Sequence, residues 1–536
     1  MTVCSALEGW VLDATDCNDA CATCFPGATE TCNDVDDDCD DTTDEGVRFT
    51  FYRDADGDGR GSRASGGVEA CAAPAGHSPF ADDCDDTRAS AYPGATETCN
   101  GLDDDCDARP DQTFACAQGS TLSCMTSCGT MGTTTCSSSC TPSATCTPPV
   151  ETCNDRDDDC DGWIDEGVRT FGASVTAGPA GRRIEVLPYS GGFVAVYQSE
   201  GGIRAQRFDG GGAPVGSEAW VSTASMSDFG AAISGDSLIV VTRRSSDLAG
   251  YRYDLTPSIT HVLGPVDLGA GDVSGTSRIR LAAMRGELYV VFDALLTPTG
   301  STRSVFVLRR SLTFTGSSTR FTAFSMVTTG DDLDIATDGN ALYVATVFIS
   351  RSSSQLNVTR IPETATSGSD VRFVTVPTGD TTPRVPQIAV QAMGAGRALA
   401  TVLYQREGSP SVRLVAVRIG SDGSMDASAP DVVVGTTALA ASSPPAPADV
   451  VALGNERFGL AYLLPSATGA SLRYREARVP EAGAPLLSEA ETLEPITAMA
   501  GSLSLARSVP GVPNATMMGL SPAGTSTARV RVRACR

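Results

Sequence analysis

Three stretches, Ile184-Glu185-Val186-Leu187, Gly192-Phe193-Val194-Ala195-Val196-Tyr197 and Ile203-Arg204-Ala205-Gln206-Arg207-Phe208, follow one another with little but Gly-rich turns between them. Short runs rich in Val, Ile and aromatics, cut by turn residues, read as strands of an antiparallel meander. The phrase returns down the chain. Ser237 to Val241 precedes Gly250 to Asp254, and Glu287 to Val291 precedes Val305 to Leu308. Ala341 to Ala345 precedes Leu356 to Thr359, Arg397 to Val402 precedes Val412 to Val417, and Phe458 to Tyr462 precedes Leu472 to Arg475. Intervals of roughly 40–60 residues are those of β-propeller blades. Six units are clear and a seventh is faint after Leu487, so residues 171–536 are expected to form an all-β propeller of seven blades, with six as the alternative count and a β-sandwich array as the runner-up.

Upstream of this region the composition changes. Of the 65 acidic residues, 35 lie in residues 1–170 beside 8 of the 39 basic ones, an excess of 35 − 8 = 27 negatives, so the whole net charge of −26 resides there. Such a segment suits a cationic partner and argues against nucleic acid. Eighteen of the 19 cysteines fall between Cys4 and Cys160, with Cys535 alone near the end. That density points to an oxidising compartment and to a segment that needs cross-links in place of a core. A zinc ribbon is disfavoured, because only His77 lies among these cysteines and aspartates are interleaved with them. No apolar run is long enough for a membrane helix, and Met1-Thr2-Val3-Cys4 shows neither the basic nor the apolar region of a signal peptide.

The acidic third is repetitive. Pro26-Gly27-Ala28-Thr29-Glu30-Thr31-Cys32-Asn33 recurs verbatim as Pro93 to Asn100, an offset of 93 − 26 = 67 that maps four cysteines and four aspartates of one copy onto the next. A shorter third copy runs from Glu151 to Gly167. The second copy opens with Asp54-Ala55-Asp56-Gly57-Asp58-Gly59-Arg60-Gly61, for which the first has no room, so the chain is expected to begin within a repeat. The expected organisation is repeats over 1–112, a Cys-rich Ser/Thr insert over 113–150, a third loop over 151–170, then the propeller. The register suggests disulfides Cys4–Cys17 and Cys71–Cys84, a second equivalent set Cys32–Cys39, Cys99–Cys106 and Cys153–Cys160, and a local Cys21–Cys24. The six cysteines Cys116, Cys124, Cys128, Cys136, Cys140 and Cys146 allow 15 pairings, among which the sequence does not choose.

Asp157, Asp159 and Asp161 stand at positions 1, 3 and 5 of a tight loop, Gly162 at 6, Trp163 at 7 with its carbonyl, and Asp165 at 9. This is the opening of an EF-hand-like calcium loop, in which alternate residues converge on a hard cation. Position 12 is Val168 instead of a bidentate Glu, so Glu166 or water is expected to complete the shell. Asp36, Asp38, Asp40 and Asp44 keep the pattern with Asp41 in place of Gly, and Asp103, Asp105, Asp107 and Asp111 keep it with Ala108 there. Asp54, Asp56 and Asp58, with the Arg60 carbonyl, form a separate loop that Asp83, Asp85 and Asp86 are placed to close.

The run from Tyr52-Arg53-Asp54 through Ala73-Pro74-Ala75-Gly76 and Asp83-Cys84-Asp85-Asp86 to Glu97-Thr98-Cys99-Asn100, with Cys160-Asp161-Gly162-Trp163-Ile164-Asp165-Glu166-Gly167, resembles the MopE-type metal-binding repeats of secreted bacterial proteins. The resemblance covers about residues 1–167 and implies a metal-binding role at the cell surface or outside the cell. The aspartate spacing is also similar to thrombospondin type 3 and dockerin calcium loops. Proteins of the MopE type are often labelled copper-binding, but copper favours His or sulfur and these loops offer oxygen, so calcium is the expected ion.

Catalytic motifs are missing from the sequence. It holds no G-x-S-x-G, Walker loop or H-E-x-x-H, and its only histidines are His77 and His261. The expected function is therefore non-enzymatic. A calcium-rigidified, disulfide-rich stalk would present a propeller to a surface glycan or protein. The alternative is a secreted hydrolase or lyase with its site at the propeller mouth, and an axial cleft lined by carboxylates and arginines would favour it.

Overall fold

The computed structural model describes residues 15–535 apart from 180–182, 224–227, 245–246, 271–277, 296–302, 328–332, 350–353, 379–382, 407–410, 437–446, 467–468, 497–499, 509–514 and 523–526. Two compact units emerge, one of Met1–Thr152 with Asp157–Ile164 and one of Cys153–Arg156 with Asp165–Arg536.

The larger unit is a seven-bladed propeller. Five blades are four-stranded antiparallel meanders, the first being Ile184–Tyr189, Gly192–Ser199, Gly202–Phe208 and Pro214–Ser222, and the sixth and seventh have five strands because their outer edge is split in two. The innermost strands of the seven blades are Ile184–Tyr189, Phe229–Ser234, Ile279–Met284, Leu333–Thr337, Pro383–Gly394, Ala448–Gly454 and Ala500–Arg507. Each touches the innermost strand of the next blade, and Ala500–Arg507 touches Ile184–Tyr189, so the ring closes. Closure uses the start of the unit: Arg169–Phe171 and Val175–Pro179 both pair with Thr527–Cys535 and supply the outer edge of the seventh blade.

Seven hydrophobic clusters hold the ring, one at each junction between neighbouring blades. The second strand of a blade is covered on both faces by its neighbours, which is why Phe193 to Tyr197 is a continuous apolar run with every side chain buried. Fourth strands such as Pro214–Ser222 lie at the rim, alternate irregularly and are largely exposed. The shift from 2-fold patterning to continuous burial thus follows from position in the blade.

The smaller unit has little regular structure. Phe49–Arg53 pairs with Gly67–Ala70 and with His77–Ser78, and Thr121–Met125 forms a hairpin with Met131–Thr135. Among the described residues its disulfides are Cys17–Cys39, Cys21–Cys24, Cys32–Cys71, Cys84–Cys106, Cys99–Cys140, Cys116–Cys136, Cys124–Cys146 and Cys128–Cys160. Of the pairings read from register, Cys21–Cys24 forms. Cys4–Cys17, Cys71–Cys84, Cys32–Cys39, Cys99–Cys106 and Cys153–Cys160 are corrected, and Cys4 itself lies outside the described residues. The turn from Cys32 to Cys39 is already closed by carboxylate–amide hydrogen bonds, so its two cysteines reach out of it. Cys39 bonds 22 residues back and Cys32 bonds 39 residues forward. The second copy repeats this with Cys84–Cys106 and Cys99–Cys140, separations of 22 and 41. Each copy is thereby sewn to the segments before and after it.

Candidate metal centre

Each repeat is built on a glutamate, buried in the first two copies and half-buried in the third. Glu30 Oε1 accepts the amides of Asp37 and Asp38 at 2.8 and 2.9 Å, and its Oε2 accepts that of Asp44 at 2.8 Å. Glu97 does the same for Asp104, Asp105 and Asp111, and Glu151 for Asp158 and Asp159. A second carboxylate ties the other side of the turn. Asp37 accepts the Thr31 hydroxyl and amide and an Asn33 side-chain N–H; Asp104 repeats these contacts with Thr98 and Asn100. Burial pushes the Asp104 carboxyl up, but the Thr98 hydroxyl and amide, Asn100 and Arg88 outweigh it and hold the group at about 2.

Asp44, Asp111 and Asp165, which the sequence places at position 9 of the loops, are fully buried and accept amides from the start of the turn. Arg48 and Arg169 pair with Asp44 and Asp165. The backbone is the same in all three copies. Asp41 and Ala108 adopt φ +74° and +72° where Gly162 has +96°, so the non-glycine residues of the first two copies sit in the left-handed region at a strain cost.

The remaining loop aspartates alternate as the spacing predicts. Asp36 accepts the amides of Asp40 and Asp41, Asp103 those of Asp107 and Ala108, and Asp157 that of Gly162. Asp40, Asp107, Asp159 and Asp161 each accept the amide two residues on, from Thr42, Arg109, Asp161 and Trp163. Asp157 Oδ1 is buried without a donor.

One difference between copies one and two falls within the acidic cluster of the loop. In the first, Glu30, Asp38 and Glu45 bring carboxylate oxygens within 4.8 Å of one another, and Asp38 Oδ1 is buried with no donor. Burial and the charges of Asp40, Glu45, Glu30 and Asp36 push the Asp38 carboxyl upward. In the second copy, Gln112 stands where the first has Glu45 (45 + 67 = 112) and the third has Glu166. Its Nε2 donates to Asp105 Oδ2 at 2.6 Å. An amide therefore meets the Asp105 carboxylate where the first copy has a third carboxylate. Among the described residues, no carboxylate of the second copy between Glu97 and Asp111 holds a buried oxygen without a donor.

Outside these turns, Asp54, Asp56, Asp58 and Arg60 are half-buried while Ala55, Gly57 and Gly59 are exposed, the alternation of an inward-facing loop. Asp83 and Asp86 come against it, Asp86 through the Ala55 amide. Asp85 does not. Thr87 and Arg88 hold it, and they lower its carboxyl.

Donor chemistry separates the candidate ions. Carboxylates lie beside sulfur at Asp16, Cys17 and Cys39 and at Cys32, Asp44 and Cys71, but those sulfurs are in disulfides and are not thiolates. His77 Nδ1 lies 3.2 Å from the Ala75 carbonyl. What remains is oxygen, the donor of hard cations; copper does not fit these loops.

The propeller axis holds a second concentration of charge. A cavity of about 450 Å³ is lined by the beginnings of the inner strands, including Arg183, Glu185, Arg280, Asp334 and Asp449. Arg183 pairs with Asp228 and Glu185, and Arg280 with Asp334. The carboxylates also reach across blade junctions: Glu185 accepts the amide of Ala231, Asp228 that of Ile279, Asp334 that of Ile388 and Asp449 that of Leu505. Ser502 and Ser504 do the same for Ile184 and Val186. The sequence reading missed these staples, whose only trace is a polar residue inside or beside an apolar inner strand. The opposite end of the axis is apolar, a 670 Å³ recess walled by residues such as Leu187, Ile233, Leu281 and Ile335.

A family model for copper-binding MopE proteins, described as a "Putative metal-binding motif", matches residues 16–45, 83–112 and 149–166. These segments are MopE-type metal-binding repeats. Each match ends at the close of a braced turn, the second begins at Asp83, and the 54–60 loop lies outside all three. No curated protein matches the chain. Solved structures similar to it include the WD40 domain of Toxoplasma gondii coronin, at 12% identity over 69% of this chain and 86% of that one, TM-score 0.42. A fucoside complex of Aleuria aurantia lectin matches at 13% over 59% and 95%, TM-score 0.36. An endo-arabinanase from Bacillus licheniformis matches at 10% over 48% and 95%, TM-score 0.26. No helix among the described residues is long and apolar enough to cross a membrane.

Proposed function

We propose that this is an extracellular calcium-binding protein of structural or adhesion type, whose MopE-type repeats take calcium and whose propeller offers a surface to a glycan or protein ligand. The observation that carries the calcium reading is the contrast between copies one and two. Where Glu45 stands, a buried Asp38 oxygen is left without a donor; where Gln112 stands, the amide satisfies the equivalent aspartate. Three carboxylates packed together repel one another, and a divalent ion relieves that repulsion. Asp36, Asp38, Asp40 and Glu45 are the ligands proposed for the first copy, and Asp157, Asp159, Asp161 and the Trp163 carbonyl for the third, with Asp44 and Asp165 bracing the turns. The disulfide density supports an oxidising, extracellular setting.

Calcium stoichiometry of the full-length chain tests this. Glu45→Gln is expected to lose one equivalent and Gln112→Glu to gain one. A wild-type chain that ignores millimolar calcium refutes the reading.

The charged axial cavity favours a second reading, a secreted hydrolase or lyase, because carboxylates and arginines do converge there. Their engagement in blade-to-blade staples gives each a structural occupation, and the binding reading is preferred for that reason.

A further inference from the structure

We propose that the Asp54–Asp58 loop, closed by Asp83 and Asp86, is a calcium site of its own. It extends the calcium reading proposed above to a loop that lies outside the matched segments, although Asp83 and Asp86 stand at the start of the second of them. Three carboxylate oxygens there, Asp56 Oδ2, Asp58 Oδ2 and Asp83 Oδ2, are buried without any donor. Asp83 is only 6% exposed. The other oxygen of each is spoken for: Asp56 Oδ1 accepts the Asp58 amide at 3.2 Å, Asp58 Oδ1 the Arg60 amide at 2.8 Å, and Asp83 Oδ1 the Asp85 amide at 2.8 Å. Each carboxylate is thus aimed by one oxygen and leaves the second bare. Burying anionic oxygens without a donor or a cation is costly, and the arrangement makes sense around an ion.

The loop is held ready for one. Asp54 spans it, accepting the amides of Gly57 and Gly59 at 2.7 and 3.1 Å. Those glycines have φ +85° and +92°, which a side chain at either position would strain. Asp86 accepts the Ala55 amide at 2.7 Å, the Gly76 carbonyl accepts the Asp54 amide at 2.9 Å, and Ser78 donates its hydroxyl to the Gly59 carbonyl at 2.6 Å. The Asp83 amide donates to the Gly61 carbonyl at 3.3 Å, which sets Asp83 against the end of the loop. The nearest guanidinium does not enter: Arg60 turns to Asp82 at 2.6 Å. Several carboxylate oxygens in a glycine-bent loop suit calcium's flexible shell of 6–8 oxygens better than magnesium's strict octahedron.

The test uses the full-length, oxidised chain and calcium alone. Asp58→Asn and Asp83→Asn are each expected to lower the stoichiometry by one equivalent, additively with the loss from Glu45→Gln, while Asp82→Asn leaves it unchanged. In the wild type, calcium is expected to slow tryptic cleavage after Arg53, Arg60 and Arg63 by about tenfold or more, because opening of the loop must first release the ion. Glu45→Gln keeps that protection and Asp58→Asn loses it. Unchanged stoichiometry in both cage variants overturns the proposal whatever the repeats do. Should those variants fail to fold, calcium-independent cleavage of the wild type overturns it alone. A Glu45→Gln chain that changes nothing while Asp58→Asn still loses one equivalent supports the cage and refutes the repeat site alone.

Discussion

Glu97 is 4% exposed, and its two oxygens accept three backbone amides from positions that the sequence separates by up to 14 residues. A buried donor left unmatched costs about 1–3 kcal/mol, so removing this acceptor costs the second repeat on the order of 3 kcal/mol or more. Glu97→Ala is expected to expose the amides of Asp104, Asp105 and Asp111 to rapid hydrogen exchange with the disulfides intact, which mass spectrometry of the oxidised chain reads directly. Exchange as slow as in the wild type would show that the disulfides alone shape the turn. The one-three-five spacing of metal loops singles out the loop aspartates in the sequence. It passes over Glu30, Glu97 and Glu151, and also Asp37, Asp104 and Asp158, because no spacing rule marks a carboxylate that faces backbone amides. The verbatim Gly-Ala-Thr-Glu-Thr-Cys-Asn repeat contained half of that signal, since Thr31 and Asn33 are the donors to Asp37.

At the scale of elements, the inner strands show what periodicity can and cannot deliver. Second and third strands such as Gly192–Ser199 and Gly202–Phe208 are legible because both faces are buried. The outer strands are not, and the seventh blade is faint because its outer edge comes from residues 169–179, more than 300 positions away from the strand it joins. The staples between inner strands make a further prediction. Glu185, Asp228 and Asp334 each have an arginine beside them, whereas no ion pair of Asp449 is found among the described residues. Burial first, and the charge of Asp334 second, push the Asp449 carboxyl up to about 8, despite the amides of Leu505 and Val450 and the more distant Arg280. Its ordinary value is 3.8. Between those two values the folded chain keeps a proton that the unfolded chain has released. The contribution of this group to stability is therefore complete below pH 3.8 and is lost as pH rises towards 8, by up to about 1.4 kcal/mol per pH unit. Asp449→Asn carries no such proton. Its melting temperature, compared with the wild type from pH 5 to 8.5, is expected to gain steadily on it. A constant difference across that range would mean that Asp449 ionises normally and that the axial cavity is better solvated than its lining suggests.

The whole molecule joins two solutions to the problem of stability. The propeller unit is closed by seven apolar junctions and its own first strands, with balanced charge: residues 171–536 hold 65 − 35 = 30 acids and 39 − 8 = 31 bases. The N-terminal unit carries the negative excess and almost no apolar core, and among the described residues it is held by eight disulfides and by carboxylates bonded to backbone amides. Disulfides restrict the unfolded chain but do nothing to relieve repulsion between aspartates, whereas a bound cation acts on the folded loops and stabilises them in proportion to its excess over its dissociation constant. The two units should accordingly answer differently to a chelator. Differential scanning calorimetry of the full-length chain in millimolar calcium and in excess EDTA is expected to show one transition that moves to lower temperature on chelation and one, belonging to the propeller's apolar junctions, that stays in place. Limited proteolysis in EDTA should cut first within the residues before 153. Coincident transitions that ignore the chelator would place the stability of the acidic unit in its disulfides and amide-bonded carboxylates alone, and would leave its paired aspartates with no ion to explain them.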